Sequence, residues 1–515
     1  MRNKYLYITL LTILGMTPET MAQGKIQFTP RLVVAITIDQ LRTDYLEAFA
    51  PLYGAGGFKR LMEQGLVFPN ASYPFSPVDR AAAVASVVTG TTPYYHSIVG
   101  RKWLNKETLQ PMYCTGDNLS ADNLASSTIG DELKVATAGN ARVYSIAPFD
   151  DAAILTAGHA ADAAFWIGNE DGLWQTSPYY ANGNPTWMLG FNNQLAITNA
   201  GGKLLWEPYL EQGGKYNYYQ HTDNERPFKH KLTGDDRYSR LKTSGLVNAY
   251  VTDLARHCVV QESLGFDRVT DLLAVSYYAG TFNHQAMSLC QLELQDTYVR
   301  LDRELARLMN DIEQKVGAQH VLFVVTSTGY SDAESADYEK YRIPTGTFYM
   351  NRTASLLNMY FGAIWGQGRF VESCFDGQMF FNQKLLESKR ISLIDACQRA
   401  QEFLSQLSGV RNVYSSFQLL TSTSEHIQKI RNAYNPARSG DVMIEVSPGW
   451  KLYNEDNHDT RLSRASFIQF PIIFMGAGAK TGLVTDRVTV DRIAPTIAKA
   501  IRIRAPNACS AEPLF

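Results

Sequence analysis

The chain has 515 residues, 45% hydrophobic and 19% charged, with a formal net charge of −2. That composition excludes an intrinsically disordered chain and a strongly basic nucleic-acid binder. Its length is enough for a large core, in more than one lobe.

The first elements concern export. Arg2 and Lys4 precede a short apolar run over 5–16, and Thr20 and Ala22 are small residues at the right spacing for cleavage after Ala22. A signal peptide is expected over 1–22, leaving a mature chain of 23–515 in the periplasm or attached to the cell envelope. No later run has the length and apolarity of a spanning helix, so the chain is not expected to cross a membrane. Six cysteines remain, Cys114, Cys258, Cys290, Cys374, Cys397 and Cys509, with no CxxC pair. Disulfides and buried free thiols are both open in an exported chain of this size, and a cysteine zinc site is not expected.

The stretch "RLVVAITIDQLRTDYL" (31–46) predicts a buried strand ending at Asp39. "GGFKRLMEQGLVFPNASYP" predicts a helix, a glycine stop and a second strand. "SPVDRAAAVASVVTG" (76–90) predicts a proline-bearing turn feeding a helix of small residues. Further strands are predicted at "TDLLAVSYYAG" (270–280), "QHVLFVVTSTGY" (319–330) and "QFPIIFMGAG" (469–478), with helices over 295–317 and 486–503. Strands alternating with helices imply an α/β layered fold with a mostly parallel central sheet. Ligands of such sheets sit beyond the strand carboxyl ends, where Asp39, Gly280, Thr328 and the 76–90 turn would converge. Two stretches break the rhythm, about 160–250 and about 335–435. They are expected to be cap insertions, and their Trp and Tyr content suits a partner-contact surface, a carbohydrate-contacting cap or a merely well-packed one.

The linked order of "VVAITIDQLRTDYL", "GFKRLMEQGLVFPNASYPFSPVDRAAAVASVVTGTTPYYHSIVGRKW", "AAILTAGHAADAAFWIGNEDGLWQTSPYY" and "YNPARSGDVMIEVSPGW" resembles the alkaline phosphatase superfamily. Within it, the chain is similar to the phosphate-irrepressible alkaline phosphatase and nucleotide pyrophosphatase/phosphodiesterase branch, over roughly residues 30 to 480. The resemblance implies an alkaline-phosphatase-like fold. It also implies hydrolysis of phosphate esters by two zinc ions and a Thr or Ser nucleophile that forms a covalent intermediate.

Each implied position is then read against this sequence. Asp39 is retained as the first metal ligand. Counting back from Thr89-Gly90, the nucleophile position holds Arg80, beside Asp79 and Ala81. The next Asp-and-His motif holds Gly280 and His284. The following Asp-His pair holds Thr328 and Gly329, and the last His position holds Gln469. At the phosphate-holding positions stand Arg101, Phe149 and Asp151. His96, His159 and His458 lie near family motifs without a partner at familiar ligand spacing.

Asp39 and His284 belong to different metals in the family, so these replacements lead to the expectation of no cofactor. The expected substitute is an ion pair of Arg80 or Arg101 with Asp39, because an unpaired buried carboxylate is costly. Such an arginine could equally hold an anion. The sequence therefore points to an exported, catalytically inactive member. It would act by binding a cell-envelope partner, or serve as a subunit of an envelope complex. The alternatives are an atypical metal-dependent phosphoesterase, with Asp79 or Ser76 as nucleophile, and an anion-binding protein using the remnant cleft. A sulfatase-like enzyme would need the same ligands, and no Cys-x-Pro-x-Arg signature is present.

Overall fold

The computed structural model describes residues 29–180, 183–201, 204–209, 228–331, 341–456, 458, 460–463 and 468–515. The expected leader over 1–22 lies outside the described residues. So do 181–182, 202–203 and 210–227 of the first expected cap and 335–340 of the second.

The centre of the molecule is a sheet built in chain order from β1 (Leu32–Asp39), β2 (Leu66–Ser72), β3 (Val143–Ala147), β4 (Ala163–Ile167), β5 (Trp174–Gln175), β6 (Asp271–Tyr278), β7 (Val321–Ser327) and β8 (Phe470–Gly476). Two short strands, Gly482–Leu483 and Val488–Thr489, pair with β2 at one edge. The spatial order from β2 runs β2-β8-β7-β1-β6-β3-β4-β5. β1 lies between β6 and β7, parallel to both, with Leu32 opposite Asp271 and Val321. Its apolar, β-branched sequence suits a strand buried on both faces.

Successive residues of β1 serve different cores, as the two-residue strand period requires. Val34, Ile36 and Ile38 join the core beneath the helices Val247–Gln261 and Gln291–Val316. Val33 joins the opposite core, with Ala82, Ala83 and Val87 of the helix Arg80–Thr89 and Ile497 of the C-terminal helix. The sheet is thus covered on both sides, the layered α/β architecture that the alternation of elements implied.

The structure adds a strand direction that the sequence left open and corrects one helix boundary. The strand near 470 runs antiparallel to both neighbours, with Leu322 opposite Gly476 and Ile473 opposite Val67. The helix expected over 486–503 begins only at Ile493 and ends at Ile501. Val488 and Thr489 instead pair with Ala71 and Ser72, because the β-branched run there suits an edge strand.

A second, smaller sheet lies between residues 371 and 446. Its antiparallel strands are Val371–Phe375, Gln378–Phe381, Val442–Val446 and Val410–Ser415, in that spatial order. The helices Met350–Trp365 and Leu393–Leu404 pack on it around Phe361, Phe370 and Leu404, all fully buried. A hairpin of the main body, Lys102–Leu104 with Pro111–Tyr113, meets this sheet where Leu104 packs with Phe375 and Phe380. Among the described residues, no helix is long and apolar enough to cross a membrane.

Candidate functional site

The carboxyl ends of β1, β6 and β7 and the start of the small-residue helix meet at one place. Asp79 is the N-cap of that helix, its Oδ1 accepting from the Ala82 N–H at 2.9 Å. Gly90 ends the helix in the left-handed region at φ 65°, where an added Cβ would meet Cys509 Sγ at 2.7 Å. Every residue from Arg80 to Thr89 is buried. Ala81 and Ala85 let the helix sit close against the segment that starts at Asp150.

This packing drives the first helical side chain, Arg80, into the interior. Its Nε and Nη2 donate to the two carboxylate oxygens of Asp151, each at 3.0 Å. Its Nη1 donates to Asp39 Oδ2 at 3.3 Å. The guanidinium lies 3.7 Å from the centroid of the Phe149 ring, within cation–π range. The side chains of Arg80, Asp39 and Asp151 are 7%, 5% and 2% exposed. Both edges of the fork are therefore used, and water is nearly excluded.

The rest of Asp39 is also engaged. Thr328 donates to its Oδ1 at 2.8 Å, and Tyr330 donates to its Oδ2 at 3.3 Å. The Gln40 N–H donates to Thr328 Oγ1 at 2.9 Å, tying the ends of β1 and β7 together. Burial by itself would push the Asp151 carboxyl up. The guanidinium groups of Arg80 and Arg101 outweigh that and hold it below the usual carboxylate range. Arg80 remains protonated far above neutrality despite its burial, because Asp151 and Asp39 face it.

Of the two candidate arginines, Arg80 is the one that reaches Asp39. Arg101 sits at the mouth, half exposed, with its Nε 3.3 Å from Asp151 Oδ2. Its backbone N–H donates to Asp79 Oδ2 at 2.6 Å. Both oxygens of Asp79 are thus occupied by backbone donors, and burial raises its carboxyl above the ordinary value.

The other expected positions are arranged differently. Gly280 leaves room for the Gln40 side chain, whose Cδ would lie 2.8 Å from an added Cβ. Gly329 lies against the Tyr73 ring, 2.5 Å from where a Cβ would stand. Ser76 is exposed at the rim. His284 is exposed on a turn in the left-handed region, and Gln469 is exposed, meeting the site through a carbonyl that accepts from the Thr43 N–H. The structure thus brings together Asp39, Asp79, Arg80, Arg101, Gly280 and Thr328, with Gly329 beside them.

Sequence reasoning missed two participants. Asp151 reads as the loss of a phosphate-binding residue, whereas here it is the main counter-ion of Arg80. A buried arginine with one carboxylate in hand is the signal that a second was needed. Lys242, buried, donates to Asn169 Oδ1 at 2.7 Å and lies 5.7 Å from the Phe149 ring. Burial pulls its pKa down to about 8, against the opposing pull of Asp150.

Three comparisons bear on this site. The family described as type I phosphodiesterase / nucleotide pyrophosphatase matches residues 33–467. A protein named calcium-transporting ATPase from Myroides odoratus is 29% identical over 94% of both chains. The alkaline phosphatase PafA of Elizabethkingia meningoseptica is 28% identical, again over 94% of both. The crystal structure of wild-type alkaline phosphatase PafA superposes with a TM-score of 0.81 at 26% identity, over 94% of this chain and 98% of that one.

This kinship corrects one expectation. The sequence reading expects no cofactor, but full-length similarity to alkaline phosphatases, proteins of a metal-dependent superfamily, overturns that expectation. The residues at the ligand positions offer few groups that could hold the superfamily's zinc pair. Gly280 and Gly329 offer no donor, Gln469 is exposed, and the Asp39 oxygens already accept from Arg80, Thr328 and Tyr330. That donor set does not fit a zinc pair, which normally takes three or four Asp, His or Cys ligands per ion.

Proposed function

The chain belongs to the type I phosphodiesterase / nucleotide pyrophosphatase family, and we propose that it acts by binding, its cleft held by an arginine lock where family members present a nucleophile. The observation that carries this reading is Arg80. A guanidinium cannot give up a lone pair to phosphorus at any working pH. This one is bound bidentately by Asp151 and again by Asp39, so it is not a side chain waiting to move aside. Neighbouring Asp79 is no substitute, since both of its oxygens accept backbone N–H groups. The protein is exported in this reading, and its partner is another envelope component. An anion is the alternative ligand, met at the cleft mouth by the half-exposed Arg101.

A second reading is supported by the relatives. Full-length similarity to alkaline phosphatases favours a working phosphoesterase of altered design, with Ser76 at the rim as its nucleophile. Acid-quenched intact-mass spectrometry after incubation with an aryl phosphate and zinc separates the two. The binding reading expects unmodified protein throughout. A phosphorylated species, mapped to Ser76 or any other side chain of the cleft, would overturn it.

A further inference from the structure

A second cleft opens on the flank of the Arg80 site. It encloses about 280 Å³, with Leu119, Trp166 and Pro178 as apolar wall and Gln175, Thr176 and Asn184 as polar wall. Trp166 and Gln175 are directly opposite on the antiparallel strands β4 and β5, so their side chains stand on the same face. Trp166 packs in the same cluster as Ala147 and Ala152, with Phe149 at its margin, the ring on which Arg80 stacks. The cleft therefore lies beyond the carboxyl end of β4, on the ligand-bearing edge of the sheet.

Several of its polar groups are unspent. The Thr176 hydroxyl is buried without a hydrogen-bond partner, a state that costs stability until a partner is supplied. Asn184 uses its amide N–H on the Trp174 carbonyl at 3.4 Å, which leaves Oδ1 as a free acceptor. Gln175 lines the cleft with donor and acceptor side by side. None of the lining residues is charged. A buried hydroxyl without a partner, a spare amide oxygen on Asn184 and the Gln175 amide ask for a ligand rich in neutral donors and acceptors. The uncharged wall disfavours an anion, and the size is just below the usual range for drug-sized ligands, about 300–1,000 Å³.

We propose that this cleft is a binding site for a neutral sugar ring, with hydroxyls paired to Gln175, Thr176 and Asn184 and a carbon face against Leu119, Trp166 and Pro178. The site is independent of whether the Arg80 cleft turns over phosphate esters.

The test is saturation-transfer NMR on the full chain with glucose, galactose, mannose and N-acetylglucosamine, and glucose 6-phosphate as charged control. At least one neutral sugar is expected to receive saturation, and the phosphate to bring no tightening. Thr176→Val and Gln175→Leu should each weaken that sugar's binding tenfold or more. Thr176→Val should also keep or raise the thermal midpoint, because it removes an unpaired buried hydroxyl, so lost binding would not reflect lost folding. Absence of transfer from all four sugars would overturn the proposal. So would transfer that survives both substitutions unchanged.

Discussion

Arg80 is held by two carboxylates and an aromatic face, and each partner would be left costly without it. Removing one member of a buried ion pair strands the others, typically at about 3–5 kcal/mol. Arg80→Ala should therefore lower unfolding stability by about that amount in urea titrations. Arg80→Lys should recover only part of it, since an ammonium cannot grip Asp151 bidentately. The depressed Asp151 carboxyl adds an acid limit. Its folded value lies below the ordinary one, so its contribution is complete above about pH 4 and lost as pH falls through the folded value. Asp151→Asn should shallow the acid side of the stability profile below about pH 4. The replacement at position 80 was legible in the sequence, because Thr89-Gly90 fixed the register of the preceding helix. Its pairing with Asp39 was legible too, but its second partner was not, because Asp151 is 71 residues away and only the fold sets the two side by side.

Among the elements, the helix Ile129–Ala136 shows how one cap couples to solution conditions. Thr128 and Asp131 form a reciprocal capping box at its start. The spare reach of Asp131 is taken by His159, whose Nδ1 lies 2.9 Å from Asp131 Oδ2 while Nε2 lies 2.9 Å from the Leu124 carbonyl. Both ring nitrogens face acceptors, and only the protonated ring donates to both. The Asp131 hydrogen bond accordingly raises the His159 pKa. A raised folded value gives stability that is full below about pH 6.5 and lost as pH rises through the folded value. His159→Gln should remove that loss from the pH profile of the thermal midpoint while leaving the alkaline plateau little changed. Sequence reading noted His159 as a histidine near a family motif without a ligand partner. Its carboxylate partner is 28 positions away, on a helix the reading did not single out. The core strands were legible because burial on both faces writes a continuous apolar run. The start of the last helix was not, since a β-branched run before Ile493 fits the sheet edge as well as a helix.

Across the whole molecule, the layered main sheet sets Asp39, Thr328 and Arg80 at one edge, and the smaller sheet has its own apolar centre. Phe361 is fully buried in that centre, against Phe370 and Phe381. Phe361→Ala should cost about 3–5 kcal/mol. Unfolding followed by tryptophan fluorescence would register it, since Trp365 is 4.8 Å from that ring. The fold class was readable from the alternation of strands and helices, and the family from motif order over most of the chain. Sequence could not give the flank cleft, because its walls come from residues 119, 166, 175–178, 183 and 184, joined only when β4 and β5 pair. The central claim is that the arginine lock has replaced phosphoryl transfer at the sheet edge. The most direct measurement is steady-state release of nitrophenol from aryl phosphate mono- and diesters by zinc-equilibrated protein, wild type beside Asp39→Ala. The account expects both to stay at the buffer rate. Turnover by the wild type that Asp39→Ala abolishes would contradict it.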